Sequence, residues 1–417
     1  MLSLIVFYKA KQMVYYMIDM KLFYSIALIC LVISVSGQNG IKITSDFPGG
    51  NIVVNKTGQD TIWLKPDLSN TRGNWFYWYF KAANISGKEV TFIFEQDNVF
   101  AKYGPAYSLN NDRTWKWYGE NRIINNGFSF SFSTMDTVAY FCFAFPYTED
   151  NLYEFISKLK LKDQLKIDTF CLSSEKRIVE RISITPSDNE PTYKVLIVAR
   201  HHACEMMANF VLEGMMVSIL SLKDMQFLRD HVEFCIIPFV DKDGVENGEQ
   251  GKNRIPHDHN RDYSGNSIYN SVSVLRNQIP AWSEKKLEIV LDLHCPWVTG
   301  ELHECITLLG SDNTEMEKSQ LLFSKILQKN SLGDIRYSHS SFLFFGSGWN
   351  SNVSVSKGMK FSKWASMLEG VSLSTTLEFP YANVSGMPVS MDGARIFGQA
   401  MAYSIMDYLK TDFTVNQ

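Results

Sequence analysis

Residues 195–205 read Val-Leu-Ile-Val-Ala-Arg-His-His-Ala-Cys-Glu, and this stretch decides the fold. Its first five residues, Val195 to Ala199, are apolar, with the length and character of a strand buried on both faces. The run breaks at Arg200-His201-His202 and resumes as an apolar, helix-competent segment from Met206 to Leu220. The turn between them carries His202 and Glu205, three residues apart. An imidazole and a carboxylate held on one strand-to-helix turn can bind one face of a Zn²⁺ ion. A catalytic zinc also needs a further protein ligand and an open position for water. A second strand-like run, Leu287 to His294 (LEIVLDLH), offers that ligand at its end, His294.

Working outward, the pattern around this stretch alternates strands and helices. Strands are expected at 178–185, 194–199, 232–238, 287–293, 305–310 and 374–379. Helices are expected at 205–220, 221–230, 268–278, 313–329 and 392–409, with a further helix starting at Thr148-Glu149-Asp150. This alternation implies a mixed sheet covered by helices on both faces, an α/β/α domain over residues 148–417. Before it, residues 38–147 read as all-β. Short alternating segments at 61–64, 75–81, 90–95, 128–132 and 137–145 are separated by turn signals such as Pro48-Gly49-Gly50 and Asn125-Asn126-Gly127. That spacing predicts an antiparallel β-sandwich domain. Trp75 to Phe80 is aromatic at every position, so its strand is expected to be buried on both faces.

Residues 1–37 are set apart from the fold. Leu22 to Ser36 is an apolar run behind Lys21, too short to span a membrane comfortably, and reads as a secretory signal peptide. Met20 suits a start, so 1–19 reads as an upstream extension. The expectation is an exported chain, secreted or periplasmic, with no stable membrane span after cleavage. A net charge of −4 gives no electrostatic case for nucleic acid, and 20% charged residues suit an ordinary globular protein. Of the seven cysteines, Cys30 lies in the leader. Cys204 and Cys295 each sit beside a proposed ligand and read either as two buried thiols or as a bridge, the thiols being favoured.

Two further segments carry chemistry. Asp241-Lys242-Asp243-Gly244 follows a strand and leads to Arg254 and then Asn260-Arg261. Guanidinium forks and an amide after a strand end suit carboxylate recognition. Glu378 lies in the apolar, β-branched run Ser374 to Tyr381, where a carboxylate is costly unless paired or functional. Beside a metal it is a general base for a water.

His202-x-x-Glu205, an Asp-Gly loop leading to Asn260-Arg261, Asp292-x-His294 and Thr376-x-Glu378, in that order, resemble the zinc metallocarboxypeptidases of the M14 family. Asn74-Trp75-Phe76-Tyr77 and Phe145-Pro146-Tyr147-Thr148 resemble signatures of the β-sandwich that precedes the catalytic domain in its cytosolic-type branch. The resemblance implies one Zn²⁺ per chain held by His202, Glu205 and His294, with Glu378 as catalytic base. It implies Asn260 and Arg261 as the pair that binds a substrate's terminal carboxylate, and Arg254 as the group that polarises the scissile carbonyl. The implied activity is removal of the C-terminal residue of a peptide or protein. The branch further implies acidic terminal residues, for which a basic pocket residue is required; no sequence signal places one.

The chain departs from the family at Lys242, where the usual loop is Asn-Pro-Asp-Gly, and at Ala203-Cys204, where Pro-Gly is usual. The region 346–359, where the mobile tyrosine of digestive members is expected, has Trp349 but no Tyr. His201 reads either as a residue packed behind the site or as one lining it. Asp292 either orients a ligand or ends a strand. Two other readings remain: a zinc deacylase acting on acyl amino acids or cell-wall peptides, and a catalytically dead binding module.

Overall fold

The computed structural model describes residues 40–159, 164–186, 190–351 and 358–413. The expected leader lies outside them, as do 352–357 in the region examined for a tyrosine. Among the described residues no helix is long and apolar enough to cross a membrane.

The first half carries β1 (Lys42–Thr44), β2 (Val53–Thr57), β3 (Thr61–Lys65), β4 (Tyr79–Ala83), β5 (Glu89–Phe94), β6 (Ala106–Ser108), β7 (Lys116–Trp117), β8 (Gly127–Ser131) and β9 (Val138–Cys142). They form two sheets, in orders β1-β4-β9-β6-β7 and β2-β3-β5-β8. Alternation drives the packing. In β5, Val90, Phe92 and Phe94 point inward, and Phe92 meets Phe141 at 5.3 Å between ring centroids. The pairs β2–β3, β4–β9, β5–β8, β6–β9 and β6–β7 are antiparallel. The exception is β3 with β5, which run parallel. Between them the chain crosses to the other sheet to make β4, and such a crossover returns a strand in the same direction.

The aromatic run departs from expectation at its start. Only Tyr79 onward joins the ladder, because the backbone of Tyr77 is bonded elsewhere. Its N–H donates to Gln250 Oε1 and its carbonyl accepts from Gln250 Nε2, both at 2.8 Å. Tyr77 thereby pairs the sandwich to a loop of the α/β half. Phe76 and Trp75 pack on Trp297, with centroids 4.9 and 5.0 Å away. From Ile43 onward the chain is one compact unit.

The second half carries α1 (Glu149–Lys158), β10 (Leu165–Leu172), β11 (Ile178–Ile184), β12 (Tyr193–Ala199), α2 (Met207–Ser221), α3 (Gln226–His231), β13 (Val232–Ile237), α4 (Lys242–Asn247), α5 (Asn270–Ser283), β14 (Leu287–His294), β15 (Thr307–Leu308), α6 (Thr314–Asn330), α7 (Phe361–Ala365), β16 (Leu373–Glu378) and α8 (Met391–Phe413). One mixed sheet runs β10-β11-β13-β12-β14-β16-β15. Its centre, β13-β12-β14-β16, is parallel, and the outer pairs are antiparallel. Every residue of β12 is buried, as its unbroken apolar run implies. On one face Leu196, Val198 and Val290 pack with Val272, Leu275 and Ile279 of α5 and Phe361 of α7. The helix α2 is buried nearly all round, since α8 crosses it closely. A Cβ on Gly214 would stand 1.9 Å from Arg395 O, and one on Gly398 2.1 Å from Val211 O. These glycines set the distance between the two helices.

Beyond the short elements β1, β2, β6, β7 and α7, two longer features were not expected from the sequence. The strand β10 lies at the sheet edge and buries only Phe170, so no apolar face marks its full length. The helix α4 occupies what reads as a loop. Its signals were present: the Asp241 carboxylate caps it by accepting from Gly244 N at 3.1 Å, and Gly248 ends it at φ +70°. The extra charge, Lys242, is fully buried and matched by the equally buried Glu180, 2.8 Å away.

Candidate active site

The strands β12, β14 and β16 are parallel and end at one edge of the sheet, where α/β folds gather their sites. Register does the assembly: Ala199 pairs with Leu293, and His294 with Glu378. His202 and Glu205 follow on the turn after β12. That turn opens with Arg200 in the left-handed region, at φ +60°. The Arg200 side chain is buried and staples the turn. It donates to Ala203 O and Tyr147 O at 3.0 Å each and to Asn209 Oδ1 at 2.9 Å. Gly251, at φ +74°, lets the next loop approach; a Cβ there would stand 2.1 Å from Ala203 N.

The three expected ligands converge. His202 Nδ1 lies 2.9 Å from Glu205 Oε1 and 3.2 Å from His294 Nδ1, and His294 Nδ1 lies 2.7 Å from Glu205 Oε2. All three are buried, and their ligand atoms lie within 4.8 Å of one another. A tetrahedral zinc with Zn–N of about 2.05 Å sets its nitrogens about 3.3 Å apart. Glu205 Oε2 and Glu378 Oε2 are buried without a hydrogen-bond partner, which costs free energy unless a cation or its water supplies one. The donor set therefore fits zinc, and zinc is the cofactor of this site. Behind it, Asp258 Oδ1 stands 3.7 Å from His202 Nε2, and Asp292 Oδ2 2.8 Å from His294 Nε2. Such carboxylates orient metal-bound imidazoles. Burial alone would raise both acids, but their histidine neighbours hold them below the usual carboxylate range.

Glu378 stands at the end of β16, beside His294. Burial raises its carboxyl, and the charges of His294 and Lys252 offset only part of that rise. The cation facing this cluster is Lys252. Its Nζ lies 2.5 Å from Glu205 Oε1 and 3.2 Å from Cys295 O, and it sits 5.5 Å from the centroid of Trp75. Burial would lower its pKa, but Glu205 and Glu378 hold it above the usual range.

Arg254 stands two residues further on. Both of its terminal nitrogens are engaged, one by Asp241 and the other by Glu249. That clamp ties α4 to the following loop, while Arg254 Nε is buried without a partner and the side chain lines the cavity that Arg261 also lines. No motif marks Lys252. Only the fold shows that a lysine two residues before Arg254 reaches the ligands.

Asn260 is buried and oriented by Phe361 N, which donates to its Oδ1 at 2.8 Å; its Nδ2 lies 3.2 Å from His294 Nε2. Arg261 lines a cavity of about 300 Å³ with Arg72, Arg254 and His257. A neighbouring cavity of about 370 Å³ is walled by β16 through Ser374 and Thr376, and by Lys360, Lys363 and Asp312. Lys363 is paired with Asp312 at 2.6 Å. Lys360 has no ion-pair partner among the described residues. Burial lowers its pKa, and Arg261 nearby lowers it further. The sequence held no signal for Lys360, which lies beside the strand end only through tertiary packing.

Cys204 and Cys295 are free buried thiols. His303 stacks on Trp349 at 4.6 Å and belongs to no metal-capable group among the described residues. His259 stacks on Tyr269 at 3.6 Å.

A parallel-centred sheet with a His-Glu-His cluster and a buried carboxylate at its C-terminal edge defines an α/β/α layer with the donors of a metal site. The comparisons narrow this. The model of the M14 zinc carboxypeptidase family matches residues 152–285. The chain is 25% identical over 312 residues to cytosolic carboxypeptidase 3 of Bos taurus, covering 69% of this chain and 31% of that one. It is 25% identical over 339 residues to cytosolic carboxypeptidase 6 of Caenorhabditis elegans, covering 74% and 72%. The fold matches a metallo-carboxypeptidase from Burkholderia cenocepacia with a TM-score of 0.73 at 20% identity, over 89% of this chain and 99% of that one. The α/β half of this chain is thus similar, over residues 152–285, to the M14 zinc carboxypeptidase family. The chain spans about a third of the length of the bovine relative.

Proposed function

We propose that the protein is a zinc-dependent carboxypeptidase that removes an acidic residue from a free peptide C-terminus. The observation that carries the acidic preference is Lys360. It is a cation without a carboxylate partner among the described residues, on the cavity beside the Glu378 strand and close to Arg261. A C-terminal aspartate or glutamate brings two carboxylates, and Arg261 and Lys360 supply two cations to meet them.

When bound, zinc supplies a Lewis acid that polarises the scissile carbonyl and makes a water acidic near neutral pH. The protein's own groups do the rest. His202, Glu205 and His294 hold the metal. Glu378 takes the proton of the attacking water and returns it to the leaving amine. Lys252 faces the developing oxyanion, the task the sequence had suggested for Arg254. In folded, metal-loaded protein, Lys252→Met is expected to lower kcat by about 10²-fold, the typical cost of one such donor, with little change in KM. Turnover within threefold of the parent sinks that role.

The test of the whole reading is a panel of peptides differing only in the last residue, each with a free or amidated terminus, incubated with zinc-loaded protein and read by mass. Loss of one acidic residue from free termini alone is the expected result. Lys360→Met is expected to lower kcat/KM for acidic termini at least tenfold and to leave apolar termini nearly unchanged. Equal cleavage of amidated peptides excludes an exopeptidase, and cleavage indifferent to Lys360→Met excludes the acidic pocket.

A further inference from the structure

His201 is the residue of the ligand turn that this chemistry leaves unused. It is fully buried, and both ring nitrogens are engaged: Nδ1 lies 2.8 Å from Asp292 Oδ1 and Nε2 2.8 Å from Tyr263 Oη. The other oxygen of Asp292 stands 2.8 Å from His294 Nε2. One buried carboxylate therefore stands against two imidazoles, whose ring planes are 6° apart with centroids 5.8 Å apart.

The proton positions follow from what each group can do. An ionised carboxylate only accepts, so each nitrogen facing Asp292 carries its proton. His201 then holds its proton on Nδ1 and accepts from the Tyr263 hydroxyl at Nε2. At His294 Nε2 the charged carboxylate of Asp292, 2.8 Å away, outweighs Asn260 Nδ2 at 3.2 Å, so the proton lies on Nε2 and the lone pair of Nδ1 is aimed at the cluster, 3.2 Å from His202 Nδ1. The chain Tyr263, His201, Asp292, His294 sets which nitrogen of His294 is a ligand and where it points.

We propose that His201, backed by Tyr263, is a positioning residue for the metal: it anchors Asp292 so that Asp292 holds His294 in its ligating tautomer and orientation. The proposal rests on the metal-site reading above. Without His201, Asp292 keeps a buried oxygen with no donor and is free to turn away from His294. Partners of this kind typically contribute 10–100-fold in metal affinity.

The experiment compares the parent with His201→Phe, His201→Asn, Tyr263→Phe and His294→Ala. Each is stripped of metal, checked by thermal melting, and titrated with Zn²⁺ against a competing chelator and with Co²⁺ by visible absorption. His201→Phe is expected to weaken zinc binding 10–100-fold and to shift the Co²⁺ spectrum. His201→Asn retains a donor where Nδ1 stood and is expected to recover most of the affinity. Tyr263→Phe, which removes one hydroxyl from a buried ring, is expected to weaken binding severalfold and serves if His201→Phe does not fold. A purely packing role would lower the melting temperature of the metal-free protein without moving the zinc constant or the Co²⁺ spectrum. Zinc constants within twofold of the parent for the folded His201 and Tyr263 variants overturn the proposal. Undiminished binding by His294→Ala overturns instead the metal-site reading on which it stands.

Discussion

Glu378→Gln is expected to cut kcat by about 10²–10⁴-fold, the range a positioned general acid–base supplies, while zinc stays bound. The geometry separates these two effects. Glu378 is not one of the three groups whose ligand atoms cluster within 4.8 Å, so its loss spares the donor set. Glutamine keeps the volume of the side chain at the end of β16 and the contact with His294 across the register. It lacks the basic oxygen that the proposed mechanism uses to take and return a proton. The orphaned Oε2 and the upward push of burial on the carboxyl both describe a base kept from other partners. Kinetics at saturating peptide, with metal content measured on the same sample, give the result. Turnover within tenfold of the parent, at full zinc content, means that another group moves the proton.

Removal of the metal is the second large effect. Chelation is expected to abolish turnover and to lower the melting temperature by several degrees, with both restored by zinc. A metal present at about 1,000 times its dissociation constant stabilises the folded state by about 4 kcal/mol. The physical source is visible in the site. Glu205 is buried and ionised; burial would raise it, yet His202, His294 and Lys252 together hold it well below the usual range. Without a cation at the centre, two imidazole nitrogens face one another at 3.2 Å. His294→Ala is expected to lose activity and, with it, any rise in melting temperature on adding zinc. The same zinc-dependent rise in His294→Ala and in the parent would place the metal elsewhere.

Much of this was legible in the chain. The unbroken apolar run of β12 and the polar turn after it identify a strand buried on both faces and a helix beyond. The short aromatic repeats before Pro146 identify the sandwich. His202, Glu205, His294 and Glu378 each sit at the end of a strand-like run, where a polar group in apolar company stands out. What stayed hidden had no local signature. The edge strand β10 buries only Phe170. The parallel pairing of β3 and β5 depends on a crossover through the other sheet. The ion pairs of Arg254 with Asp241 and Glu249 were hidden too, because an arginine in a loop carries no sign of its partners.

The sequence by itself determined the class of fold and the chemical identities of the metal donors, because burial pattern and donor type are properties of short segments. Only the tertiary structure decided which cations lie against the site. Lys252 reaches Glu205 because Gly251 allows its loop against the His202 turn and Gln250 ties that loop to Tyr77 of the sandwich. Lys360 reaches the strand end from another loop. The reason is reach: a lysine's charge sits at the end of a long, freely rotating stem, so its partner is set by which loops the fold brings within that length.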